Sequence, residues 1–216
     1  MDFLGNIAHW FSSGGVVMYA LLLCSIVSLS IIIERFRYFH SRNVNVKQYM
    51  ELLHDDMRNH SVHELYVKYR ANQRSASVVT AAGLRAVIRG RNPEHAMKSA
   101  AQLEAAKLKK GLAVLAAIVT LSPILGLLGT VLGMIQSFSV FNLQQGAPMA
   151  ITGGVGEALV ATASGLAVAI IALVGHSYFG YRLDNMMTGI EQIGSAMMDN
   201  LAIRNEESIK EAEKCA

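Results

Sequence analysis

Three stretches of this chain carry no charged side chain, and they constrain its fold more than anything else in it. Residues 15–33, 111–156 and 158–181 contain no Asp, Glu, Lys or Arg. At about 1.5 Å per residue, the nineteen residues of the first run extend roughly 28 Å as a helix, close to the thickness of a bilayer core. The second run is too long for a single crossing. It divides at Asn142-Leu143-Gln144-Gln145-Gly146-Ala147-Pro148, a polar stretch whose proline suits the first turn of a new helix. Only backbone that satisfies its own hydrogen bonds can cross hydrocarbon. The expected fold is therefore all-α and membrane-integral, with three transmembrane helices. Two of them extend into the cytoplasm, where the segment after the first span is also helical.

The basic residues set the expected topology. Of the nineteen Lys and Arg, fifteen lie between Arg35 and Lys110 and four follow Tyr181. Residues 1–14 and the polar stretch before Pro148 have none. The positive-inside rule then places 1–14 in the periplasm, 15–34 in the membrane and 35–110 in the cytoplasm. Residues 111–141 form the second span, 142–147 a periplasmic loop, 148–181 the third span and 182–216 a cytoplasmic helix and tail. The first run lacks a basic flank before it and a small-residue cleavage site after it, so it reads as an uncleaved span rather than a signal peptide. Topology and anionic lipid account for the basic segment, and nucleic acid need not be invoked.

In the segment 35–110, Val46, Tyr49, Met50, Leu52 and Leu53 read as one apolar face and Val62, Leu65, Tyr66 and Tyr69 as another. Asn92-Pro93-Glu94 reads as a helix start, and nothing after it stops a helix before about Phe141. The third span is expected to run on into a stripe of Leu183, Met186, Met187, Ile190, Ile193, Met197, Met198 and Leu201. Cys24 and Cys215 do not read as a disulfide pair. His60 and His63 lack the further ligands of a metal site.

One acid stands alone. Glu157 is the only Asp, Glu, Lys or Arg between Lys110 and Arg182, and it falls roughly 13 Å into the third span if that helix begins at Pro148. A charge at such depth costs at least about 2.5–3.5 kcal/mol on insertion scales, so intramembrane acids face a bundle interior or wet cavity. The alternative is an acid that snorkels to the outer interface. Thr130, Thr162 and Ser164 supply the nearby hydroxyls. Ser164 falls on nearly the face of Glu157, whereas Thr162 is about 140° round the helix. Hydroxyls in such helices also bond back to their own backbone. Gly126, Gly129 and Gly133 form a small-residue ridge in the second span, and Gly165 joins Ala158, Ala161, Ala169 and Ala172 in the third, which points to close helix packing. Pro123 is expected to kink the second span. There is no phosphate loop, nucleophile elbow or metalloprotease motif, and the chain does not read as an enzyme.

Two motifs carry a family resemblance. Ser122-Pro123-Ile124-Leu125-Gly126-Leu127-Leu128-Gly129-Thr130-Val131-Leu132-Gly133-Met134-Ile135, followed by Phe138, is one. Gly156-Glu157-Ala158-Leu159-Val160-Ala161-Thr162-Ala163-Ser164-Gly165-Leu166-Ala167-Val168-Ala169-Ile170 is the other. In this order and spacing they resemble the ExbB/TolQ/MotA family of proton-channel subunits, and the ExbB branch most. The resemblance implies a pentamer around the single-span helices of an ExbD-like partner, in the bacterial inner membrane, with protons as the coupling ion and no other cofactor. It implies work passed to a TonB-like protein that energises outer-membrane import. It implies that Thr130, Glu157 and Thr162 line the proton pathway; Ser164, from its place on the Glu157 face, is a further pore-lining candidate. Two other readings stand beside it: a TolQ-like subunit serving envelope integrity, and a passive helical scaffold. Ile171 stands where the family usually has proline.

Overall fold

The computed structural model describes residues 15–143 and 148–215. The expected N-terminal segment 1–14 and most of the expected loop 142–147 lie outside these. Among the described residues every regular element is helical. In chain order they are α1 (Gly15–Arg42), α2 (Val46–Asn59), α3 (Val62–Arg70), α4 (Ser75–Ile88), α5 (Pro93–Lys109), α6 (Leu112–Leu143) and α7 (Pro148–Cys215). Three helical stretches are long and apolar enough to cross a membrane by length and composition, with peak mean hydropathies of 2.7, 2.3 and 2.3, and they fall on α1, α6 and α7. The chain divides into two compact units. One comprises the chain up to Arg35 with Gly111–Phe179; the other comprises Phe36–Lys110 with Gly180–Ala216.

Local chemistry explains the element boundaries. Asn45 caps α2 through a bond from the Gln48 amide at 3.5 Å. Ser61 and Glu64 form a reciprocal capping box at the start of α3, at 3.3 and 2.9 Å. Asn92 accepts from the His95 amide at 3.2 Å ahead of Pro93 in the first turn of α5. The helix expected to run unbroken from there to about Phe141 is interrupted. Gly111 adopts φ +84°, which ends α5 at Lys109 and lets α6 begin at Leu112. Pro123, by contrast, lies inside the continuous α6.

The second unit has an ordinary apolar core. Leu53 of α2, Leu65 of α3, Leu84 of α4, Met97 of α5 and Ile190, Ile193 and Met197 of α7 are buried together. On α2 the buried face is Tyr49, Leu53, Asp56 and Met57. Leu52, expected on that face, is 55% exposed, because the true stripe follows i, i+4, i+7 and i+8 and leaves it on the outer side. Arg204 donates to the carbonyls of Met57 and His60 at 3.3 and 3.0 Å, which satisfies carbonyls that the end of α2 leaves open.

Two buried carboxylates in this unit are paired. Glu104 is 1% exposed and accepts from Ser75 Oγ at 3.0 Å and Lys107 Nζ at 2.7 Å, with Arg42 at 3.8 Å. Asp56 accepts from Lys68 Nζ and from Tyr69 Oη, each at 2.7 Å. Burial pushes the Asp56 carboxyl up, but the bonds from Lys68 and Tyr69 outweigh it and hold the carboxyl below its ordinary value. Burial, and then the bond to Asp56, push the Tyr69 hydroxyl well above its ordinary value. The two shifts have opposite consequences. The depressed Asp56 value stabilises the fold above about pH 4, and that contribution disappears as pH falls further. The raised Tyr69 value stabilises it below about pH 10, and that contribution is lost as pH climbs towards the folded value. Tyr69→Phe leaves one Asp56 oxygen a donor short, and we expect it to cost about 1–3 kcal/mol and to flatten the alkaline loss. Thermal unfolding in detergent across pH checks this; unchanged stability at pH 7 contradicts it.

Candidate functional site

The site is built on the pairing of α6 with α7, and glycine makes that pairing possible. A Cβ placed on Gly129 would lie 2.6 Å from the Ala161 Cβ. One on Gly133 would lie 3.1 Å from the Ala158 Cβ, and one on Gly126 3.0 Å from the Thr162 Cα. From the other side, a Cβ on Gly165 would lie 2.5 Å from the Ser122 carbonyl oxygen. The two backbones are therefore in direct contact along Gly126–Gly129–Gly133 and Ala158–Ala161–Gly165. Lipid offers no hydrophobic drive for such pairing, so dispersion at short range has to supply it. The outward faces are the reverse of a soluble core: Ile124, Leu127, Ile135 and Phe138 of α6 and Leu159 and Ile170 of α7 are all exposed.

A polar bond crosses this seam. Thr162 Oγ1 donates to the Gly126 carbonyl at 3.0 Å. Thr130 Oγ1 donates instead to the Leu127 carbonyl of its own helix at 2.7 Å. Both expected pathway hydroxyls thus give their protons to backbone carbonyls. The pairing places the three polar positions at similar heights. The helices are antiparallel, with Gly129 level with Ala161 and Gly133 with Ala158. Glu157 and Thr162 are then separated by roughly 7.5 Å along the axis, and Thr130 lies between them in height. They do not share one face. Glu157 and Ser164, both half-buried, flank one side of the α7 seam, and Thr162 flanks the other.

Glu157 has a neighbour that sequence reasoning missed. A Cβ placed on Gly15, at the start of α1, would lie 3.1 Å from the Glu157 Oε1. Gly15 opens an uncharged run after Gly14; that glycine pair was the only signal, and nothing in the sequence connects it to residue 157. Slightly further along α1, Val17, Met18 and Leu21 are buried with Leu125 of α6 packed against them. The acid thus sits where α7 packs tightly against α6 and the start of α1. The described residues here offer no evident arrangement for making or breaking bonds in a substrate.

Fold and site together define a multi-pass membrane protein with a lone acid at a small-residue helix seam. A family model for the MotA/TolQ/ExbB proton channel family matches residues 71–192, over half of the chain and across the whole seam. The chain belongs to this family, which is one of proton channels rather than enzymes. It is 34% identical to the biopolymer transport protein named ExbB-like 1 of Synechocystis sp. over 173 residues, 76% of this chain and 66% of that one. It is 29% identical over 195 residues to an ExbB homolog of Methanothermobacter thermautotrophicus, covering 89% of this chain and 70% of that one. Over 93 residues it is 38% identical to the Tol-Pal system protein TolQ of Pseudomonas aeruginosa, covering 43% of this chain and 40% of that one.

The seam makes a compensation test. Gly129→Ala should weaken the helix pair by about 1–3 kcal/mol, as overpacking does. Ala161→Gly, which removes the opposing methyl group, should restore much of that loss. Unfolding of both variants and the double variant in detergent gives the comparison. Strictly additive losses would show that the two residues do not meet.

Proposed function

We propose that this chain is a proton-conducting subunit that works with an ExbD-like single-span partner to turn proton motive force into mechanical work. The carrying observation is Glu157, the sole charged residue between Lys110 and Arg182, held half-buried where α7 meets α6 and the start of α1. In this reading the chain forms a homo-oligomer, expected to be a pentamer, in the bacterial inner membrane. Its N-terminus is periplasmic and its C-terminus cytoplasmic. Glu157 is the acid of the pathway, Thr130 and Thr162 flank it, and Ser164 extends its face. One proton crossing 100 mV releases about 2.3 kcal/mol, which is the scale of a single conformational step. The output is a TonB-like protein acting in outer-membrane import. The length of the matches to ExbB-named proteins favours this output. The TolQ match favours a second output for the same machine, in envelope integrity. A partner gene of ExbD or TolR type, and loss of uptake rather than detergent sensitivity on deletion, distinguishes the two.

The test is proton-driven uptake by an outer-membrane transporter in cells carrying variants at this site. Glu157→Ala should abolish uptake while the complex stays assembled, because removing a half-buried acid relieves a desolvation cost. Glu157→Gln should be nearly as inactive. Thr130→Ala and Thr162→Ala should fall less, since water can stand in for a hydroxyl in a wet path. Wild-type uptake with Glu157→Ala contradicts the reading. Topology is tested separately: a cysteine at Gln144 should react with an impermeant reagent from the periplasm, and one at Gln73 should not. Labelling at Gln73 in intact spheroplasts contradicts the three-span orientation.

A further inference from the structure

Gly15 is constrained twice over. Its backbone has φ +64°, in the left-handed region that side-chain-bearing residues rarely adopt. Its missing Cβ leaves the space that Glu157 Oε1 borders, at 3.1 Å. These are separate demands. A backbone turn alone needs the angle and not the space.

The surroundings leave the backbone of neither partner much room to retreat. Val17 and Met18 are 8% and 4% exposed and lie in one cluster with Leu21. Val17 carbons also lie 3.7 Å from the Cβ position of Gly129, so the start of α1 is wedged onto the seam. On α7, Ala158 is 3% exposed, and its Cβ is 3.1 Å from the Cβ position of Gly133. The backbones on both sides of the carboxylate are thus held, and the element free to move is the Glu157 side chain.

We propose that Gly15 is a positioning residue for Glu157: by presenting no side chain, it fixes where the carboxylate rests against the first span. A Cβ at residue 15 requires the Glu157 oxygen to give by a few tenths of an ångström, and a larger side chain requires more. The inference rests on Glu157 being the acid of the proton pathway and adds a residue from a different helix to it.

The test uses the complex purified with its partner chain, reconstituted in liposomes, with proton flux under an imposed potential followed by a pH-sensitive dye. Native gels check assembly. Gly15→Ala should lower flux by at least about tenfold, the scale on which sub-ångström to ångström misplacement of a reacting group acts. Gly15→Asn separates the two demands. Asn enters the left-handed region more readily than Ala but is bulkier, so it should be at least as damaging. It also carries the test if the Ala variant does not assemble. Glu157→Asp draws the carboxylate back by one methylene and reduces flux by itself. Combined with Gly15→Ala or Gly15→Asn it should leave more flux than the product of the two single effects, a coupling that a purely structural glycine would not produce. Gly15→Asn conducting better than Gly15→Ala, or single effects that simply multiply, overturns the proposal. Inactive Glu157→Ala alongside fully conducting Gly15 variants overturns this proposal alone. Fully conducting Glu157→Ala overturns it together with the reading on which it rests.

Discussion

Backbone-to-backbone contact between α6 and α7 is the constraint on which the membrane unit depends. Where Gly129 meets Ala161 and Gly165 meets the Ser122 carbonyl, there is no space for one further carbon. That closeness has consequences beyond packing. It brings the Gly126 carbonyl within reach of Thr162, and so fixes a hydroxyl that would otherwise bond back within its own turn, as Thr130 does. It fixes the height of Glu157 relative to Gly133. It also leaves a groove into which Val17 of α1 packs. A looser pair would lose the dispersion that holds it, and with it the placement of every polar group nearby.

The two units satisfy buried polarity in different ways. Among the described residues of the second unit, the buried acids have dedicated partners: Asp56 has Lys68 and Tyr69, and Glu104 has Ser75, Lys107 and Arg42. Such pairing suits structural groups, since a buried charge deprived of its partner is costly. In the membrane unit no Lys or Arg falls within residues 111–181. An acid there has no basic residue in its own or the adjacent span to neutralise it permanently. On the proposed reading, this leaves the carboxyl to exchange protons rather than serve as half of a fixed ion pair.

Much of this was legible in the sequence, and the reasons are physical. Charge-free runs of bilayer length report membrane helices because charge is so costly there. Small residues at helical spacing report close approach, and Gly126, Gly129, Gly133 and Gly165 all lie on the seam. What the sequence concealed depends on backbone angles and on distant contacts. Gly111 looks like any glycine in an apolar run, yet its positive φ breaks the helix expected to run through it. Leu52 fits an apolar pattern by type and misses it by phase. Thr162 could have bonded within its own helix; only the antiparallel register places the Gly126 carbonyl before it. Gly15 lies 142 positions before Glu157, and no periodicity links them.

The central claim is that the seam forms within one chain and sets the position of Glu157. Solid-state NMR of the membrane-embedded protein tests it without altering a side chain. Chains labelled at glycine Cα and alanine Cβ, and diluted into unlabelled protein, should give assigned cross-peaks between Gly129 and Ala161 and between Gly133 and Ala158. A mixture of glycine-labelled and alanine-labelled chains should give neither. Cross-peaks that appear only in the mixture, or in neither sample, would show that these residues do not meet within a chain and would contradict the account.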